Sequence, residues 1–258
     1  MTTLLAIVTL GFFLGMRHAT DPDHVVAVTT IVSREQSLFQ AAIIGAVWGV
    51  GHMATILGVG SAIILLKVTI LPRVGLSMEL SVALMLILLG VMTLTGLTQR
   101  AMEWASLRGY SSGSHSHIIA GKIMVHSHKE DELAATRESF SSGTKLGKFH
   151  ILRPLVVGIV HGLAGSAAVA LLVLTTISKP TWAVGYLFVF GLGTVAGMML
   201  ITGVIAVPFA YTQRRFVQLN QGLAMASGVV SLLFGLFLCY QTGVVDGLFT
   251  GHPNWMPH

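Results

Sequence analysis

The run Arg17-His18-Ala19-Thr20-Asp21-Pro22-Asp23-His24 gathers two imidazoles, two carboxylates and a guanidinium within eight residues of a chain otherwise poor in charge. Neutral imidazole is the commonest metal-binding side chain, and it suits nickel, copper, zinc and iron. Two further histidines lie in apolar surroundings. His52 sits in Gly49-Val50-Gly51-His52-Met53-Ala54-Thr55, and His161 in Val160-His161-Gly162-Leu163-Ala164-Gly165-Ser166. A lone buried histidine is ordinarily a satisfied core residue. Four of them beside two acids reverse that expectation, so the candidate metal ligands are His18, Asp21, Asp23, His24, His52 and His161. Arg17 is positioned to pair with Asp21 or Asp23. The one cysteine, Cys239, excludes a CxxC site, an intrachain disulfide and electron transfer through a cysteine pair. It also argues against a soft copper(I) site, although Met16 and Met53 weaken that inference.

The elements that carry these residues are apolar. Of 258 residues, 53% are hydrophobic and 10% charged, where a soluble domain has about 25% charged. Mean hydropathy is +0.80. A membrane-crossing helix needs about 20 mostly apolar residues. Six segments meet or approach that length, at roughly 3–33, 38–66, 78–98, 151–178, 181–210 and 217–241. Asp21 and Asp23 are the two carboxylates well inside a span, where an acid is by default a functional group. Pro22 removes a backbone donor and clashes with the carbonyl four residues back, at His18. The first span is therefore expected to break there, with Asp21 as cap and Pro22 opening a fresh half-helix. On a continuous helix His18, Asp21 and His24 would share one face and Asp23 would point away. A broken helix leaves the direction of Asp23 open.

Basic residues set the sides. The connections after spans one, three and five hold eleven Lys and Arg, from Arg34 to Arg215; the opposite connections hold Lys67, Arg73 and Lys179. The positive-inside rule assigns the eleven to the cytoplasm and both termini to the outside. Trp182, Tyr211 and Tyr240 fall near span ends, where interfacial aromatics settle. The net charge of +5 is thus flanking charge and implies no nucleic-acid partner. The apolar run Leu4–Leu14 has no preceding Lys or Arg and no following A-x-A site, so it reads as a retained span.

The two halves resemble each other. Gly15-Met16-Arg17-His18 aligns with Gly158-Ile159-Val160-His161, Trp48-Gly49-Val50-Gly51 with Phe190-Gly191-Leu192-Gly193, and Leu88-Leu89-Gly90 with Leu233-Phe234-Gly235. The offsets are 143, 142 and 145. With three spans per half the second would run upside down, an arrangement typical of transporters. The expectation is an all-α polytopic membrane protein. It would have six transmembrane helices as two inverted three-helix repeats, with the first helix broken near Asp21-Pro22. Residues 1–99 would form the first repeat, 100–150 a polar cytoplasmic loop, and 151–258 the second repeat with a short external tail.

His18-x4-Asp23-His24, preceded by Gly15-Met16-Arg17 and followed by Val25-Val26-Ala27, resembles the signature of the nickel/cobalt transporter family. Gly51-His52 followed by Thr55 is similar to that family's second histidine motif. His161-Gly162-Leu163-Ala164-Gly165-Ser166-Ala167 instead resembles the urease-accessory membrane proteins of the same superfamily. Pro22 departs from the usual small residue, and the acidic-threonine motif and extra spans of the larger members are absent. The resemblance implies uptake of Ni²⁺ or Co²⁺, as transported substrate, into a bacterial cytoplasm through the inner membrane, with His18, Asp23 and His24 essential. It implies no organic cofactor and no enzymatic activity. Cytoplasmic nickel chaperones or urease and hydrogenase maturation proteins are the implied partners, beside the lipid bilayer.

The loop carries His115-Ser116-His117 and His126-Ser127-His128 ahead of Lys129-Glu130-Asp131-Glu132. Such pairs are expected either to hold metal as an auxiliary site at His115, His117, His126 and His128 or to be plain solvated linker. No P-loop is present, so the chain itself is not expected to hydrolyse ATP. Three rivals stand beside an importer: an exporter of the same metals, a membrane metalloenzyme using an activated water, and a structural membrane subunit whose metal merely holds helices together.

Overall fold

The computed structural model describes residues 2–33, 35, 37–66, 70–96, 117–119, 122–124, 151–165, 179–250 and 253–255. Seven α-helices fall among them. They are α1 (Thr2–His18), α2 (Pro22–Val32), α3 (Leu38–Leu66), α4 (Pro72–Thr95), α5 (Ile151–Gly165), α6 (Pro180–Arg215) and α7 (Val217–Tyr240). Residues 1–95 and 153–258 form one compact unit and 96–152 another. In the second unit two three-residue strands pair antiparallel, β1 (His117–Ile119) with β2 (Lys122–Met124). The polar loop expected there is thus not without regular structure. Ile118, Ile119 and Ile123 are β-branched and favour a pleated strand.

Proline divides the first span as its chemistry requires. α1 stops at His18, and the Thr20 and Asp21 amides close tight turns on the Arg17 and His18 carbonyls at 2.8 and 3.1 Å. Asp21 is extended at the N-cap, and Pro22 supplies a first helical position that needs no donor. The third span starts earlier than hydropathy alone suggests, at Pro72 rather than near residue 78. Pro72 again opens the helix, and the Leu71 carbonyl accepts the amides of Val74 and Gly75. Helix α4 therefore runs through Arg73 and carries Glu79 about two turns inside its start. A single residue, Phe216, separates α6 from α7.

Helices α3, α4, α6 and α7 are long and apolar enough to cross a membrane, while α2 and α5 are shorter apolar helices. The expected remainder of the fourth span, residues 166–178, lies outside the described residues. The exterior is apolar: Leu84, Leu88, Leu192, Met199, Val204, Leu233 and Phe237 all face outward. A soluble monomer would not expose so much contiguous apolar surface. Trp182, Tyr211 and Tyr240, near the helix ends, are also outward-facing. Hydroxyls inside the bundle are satisfied on backbone, as a dry interior demands. Thr194 donates to the Phe190 carbonyl at 3.0 Å, and Ser231 crosses from α7 to the Leu86 carbonyl of α4 at 2.8 Å.

Helix α3 packs on α6, α4 on α7, and α1 on α6. The close approaches are made at glycines, and they come in exchanged pairs. A Cβ at Gly15 would strike the Phe190 carbonyl, and one at Gly158 would strike the Trp48 carbonyl. Gly193 meets the Phe12 carbonyl as Gly51 meets that of Leu155. Gly49 abuts Val195 as Gly191 abuts Met53. Gly90 lies against Gly228 and Leu232 as Gly235 lies against Ala83 and Ile87. Every residue in these pairs maps onto its counterpart by the offsets of 142 to 145 read from the sequence. The internal likeness of the chain is thus expressed in its packing.

Candidate metal centre

Four elements deliver the polar residues to one place. His18 is the last residue of α1, Asp21 the cap of α2, and Asp23 and His24 lie in the first turn of α2. His52 lies midway along α3 and His161 on α5, just before Gly165. The break at Pro22 lets Asp23 join rather than point away.

The contacts form a chain. His18 Nδ1 lies 2.7 Å from Asp21 Oδ2, and its Nε2 lies 3.1 Å from His52 Nε2. The two oxygens of Asp23 each lie 3.0 Å from an imidazole nitrogen, one from His24 Nδ1 and the other from His161 Nε2. Neutral rings satisfy all four contacts with one set of tautomers, inferred from this network. His18 Nδ1–H donates to Asp21, His52 Nε2–H to His18, and His24 Nδ1–H and His161 Nε2–H to Asp23. Three ring nitrogens are then left bearing lone pairs. These are His24 Nε2, His52 Nδ1 and His161 Nδ1, all buried and without a hydrogen-bond partner among the described residues. Their residues are 3%, 0% and 1% exposed. An unsatisfied buried polar group costs roughly 1–3 kcal/mol, and a cation held by such a nitrogen would remove that penalty.

Two overlapping ligand sets result, His18-His24-His52 and Asp23-His24-His161, each with donor atoms within 4.8 Å of one another. Donors around an ion with metal–nitrogen bonds of about 2.1 Å lie roughly 3–4 Å apart. A small contraction of either set would therefore enclose an ion. His24 belongs to both. Asp21 holds the far nitrogen of His18, the place of a carboxylate that orients a histidine ligand. Asp23 links His24 to His161 in the same manner.

Some expectations need revision. Arg17 is exposed and makes no ion pair among the described residues; histidines take both aspartates instead. One position along a helix turns the side chain about 100°, which carries Arg17 away from the face of His18. His115, His126 and His128 lie outside the described residues, and of His117 only the backbone, in β1, is described.

Three contributors escaped the sequence reading. Trp48 is fully buried, stacks on His24 at 5.7 Å with 19° between planes, and meets His161 edge-on at 5.5 Å. Its spacing of four from His52 was the available signal, since both fall on one face of α3. Gly165 leaves space beside the site, where a Cβ would lie 3.3 Å from His18 Nε2. Glu79 lines a cavity of about 400 Å³ that also has His18, Asp21, Asp23, His24 and His161 in its wall. It went unremarked because the third span was expected to begin next to it.

Fold and site together define a multi-pass helical membrane protein with a buried histidine–aspartate centre. No family model matches the chain, and no solved structure matches it. It is similar to the urease accessory protein UreH of Bacillus sp. (strain TB-90), at 34% identity over 246 residues, 95% of this chain and 96% of that protein. The chain belongs to the UreH family of urease accessory proteins. This is the branch to which the residues from His161 to Ala167 pointed. The urease accessory proteins of this family are not themselves enzymes.

Proposed function

We propose that the chain is an inner-membrane permease that carries Ni²⁺, or Co²⁺, into the cytoplasm through the His18-Asp23-His24-His52-His161 centre. The observation that supports this best is the pair of overlapping ligand sets, His18-His24-His52 and Asp23-His24-His161, that meet at the buried ring of His24. Nickel is favoured because imidazole nitrogen suits it and because the UreH relative is named for urease. Cobalt binds such sites with neighbouring affinity.

The ion sheds water and exchanges it for His18 Nε2, His24 Nε2 and a His52 nitrogen, with Asp21 holding His18 in position. Rotation of His24 transfers it toward Asp23 and His161. The C-terminal end of α1 directs its partial negative charge at the same point, which favours a cation. The exchanged glycine contacts support six spans arranged as two inverted repeats, 1–99 and 151–258, that rock about the centre. With eleven basic residues on the cytoplasmic connections, both termini are outside. The cavity then reaches outward through Glu79, Gln241 and Thr242, consistent with loading from that side. A divalent ion gains about 4.6 kcal/mol per 100 mV on moving inward, enough to drive accumulation. The loop 100–150, with its paired histidines at 115 and 117 and at 126 and 128, would receive the ion and pass it to nickel chaperones or urease maturation proteins.

Cells expressing the protein should accumulate radioactive nickel, and His18→Ala or His24→Ala should abolish the gain. Normal uptake by both variants would remove the centre from transport. Expression should sensitise cells to nickel; protection would reverse the direction to export.

A further inference from the structure

The cavity beside the histidine centre draws polar groups from one further element. Past α7 the helix widens into a π-helical turn, Gln241–Val245, in which the Asp246 amide reaches the Gln241 carbonyl at 2.9 Å. Such turns are rare and often mark functional sites. Gln241 and Thr242 line the same cavity as His24 and His161. Thr242 is 3% exposed, yet its hydroxyl has no hydrogen-bond partner among the described residues. Other hydroxyls buried in the bundle are engaged. Thr30, Thr194, Thr202 and Thr212 each donate to the carbonyl four residues back, and Ser231 donates to Leu86. For Thr242 the carbonyl four back is that of Leu238, and it receives the Gln241 amide instead. The π-helical turn thus holds a buried hydroxyl toward the cavity with nothing of the protein to bond.

Val82, Ala164, Phe234 and Leu238 make much of the remaining wall apolar. Glu79, in the same wall, accepts the Trp255 Nε1–H at 2.8 Å, where the tail folds back onto Gly75. The cavity of about 400 Å³ has room for a divalent ion with an octahedral shell of waters at about 30 Å³ each. Metal-bound waters are strong donors and need acceptor oxygens. The Thr242 hydroxyl and the Gln241 amide oxygen are neutral acceptors of that kind. We propose that Thr242, aided by Gln241, is a docking contact for the hydrated divalent cation. Its hydroxyl oxygen accepts from metal-bound water and holds the ion beside the centre before that water is exchanged for imidazole. This rests on the permease reading above. Thr242 stays outside the ion's final shell, so it governs how well the ion is held, while the histidines govern passage.

The experiment is the concentration dependence of nickel uptake by cells, normalised to protein in the membrane, with wild type and His24→Ala run alongside. Thr242→Val keeps the shape and removes the hydroxyl. It should raise KM about fivefold, roughly the loss of one hydrogen bond, and lower the maximal rate by no more than about twofold. Thr242→Ser should restore the wild-type KM. The ratio of variant to wild-type KM should hold as ionic strength rises, because the lost group is neutral. The melting temperature of Thr242→Val in detergent should match that of wild type, since the hydroxyl bonds nothing within the protein. An unchanged KM, a KM that serine does not restore, or a fall in melting temperature overturns the proposal. Should Thr242→Val fail to accumulate, Thr242→Ala decides by the same KM. Absence of uptake by wild type, or full uptake by His24→Ala, would instead refute the permease reading itself.

Discussion

Asp23 and His161 stand 138 residues apart in the chain, yet Asp23 Oδ2 lies 3.0 Å from His161 Nε2. The other oxygen of the same carboxylate holds His24 Nδ1 at 3.0 Å. One acid thereby fixes two rings from different halves of the molecule and leaves the far nitrogen of each without a hydrogen-bond partner among the described residues. Asp21 orients a single ring and is half-exposed. The two acids should therefore differ in weight. Asp23→Asn is expected to reduce nickel uptake about a hundredfold, and Asp21→Asn about tenfold, the two ends of the range for orienting carboxylates. Equal losses in an uptake assay would show that the two do the same work.

Gly165 keeps the space beside His18 open. A methyl group there would sit 3.3 Å from Nε2, and the branches of valine would reach further into the site. Gly165→Ala should lower uptake severalfold and Gly165→Val should abolish it. Both should be present in the membrane at wild-type amounts by immunoblot, because the obstruction is local. Full activity of Gly165→Val would mean that the ion does not pass His18.

Trp48 presents two separable properties. Its ring fills space between His24 and His161, and its buried Nε1–H has no partner among the described residues. Trp48→Ala leaves a cavity and should cost about 3–5 kcal/mol, seen as a fall in melting temperature in detergent. Trp48→Phe keeps most of the volume and removes the orphan donor, so its melting temperature should match or exceed that of wild type. A large loss on Trp48→Phe would reveal a partner for the indole nitrogen.

The exchanged glycine contacts make a paired expectation. Gly15→Ala and Gly158→Ala each drive a methyl into a carbonyl oxygen of a facing helix. Each should destabilise by roughly 1–3 kcal/mol, as overpacking does, and by similar amounts, because the two contacts are counterparts. Gly185, with no atom within 4 Å of an added Cβ, serves as the control. A strong effect of Gly185→Ala, or none at Gly15, would contradict the packing described.

What the sequence determined by itself is local or repetitive. Apolar length placed helices at α3, α6 and α7 within a few residues, since hydropathy acts on each segment separately. Pro22 announced the break after His18 because a missing donor and a ring clash are properties of the residue. The offset near 143 residues foretold which glycines would find equivalent surroundings. The tertiary structure decided everything that depends on directions across a break or between distant helices. Asp23 turns toward His161 only because α1 and α2 do not share one axis. Trp48 becomes a wall of the site only because α2 and α5 both lie against that face of α3. Glu79 joins the cavity only because α4 starts early and the tail folds back onto Gly75. Beyond the four-residue spacing of Trp48 from His52, these have no signature in hydropathy or spacing, because each is a contact between groups whose neighbours along the chain are indifferent to it.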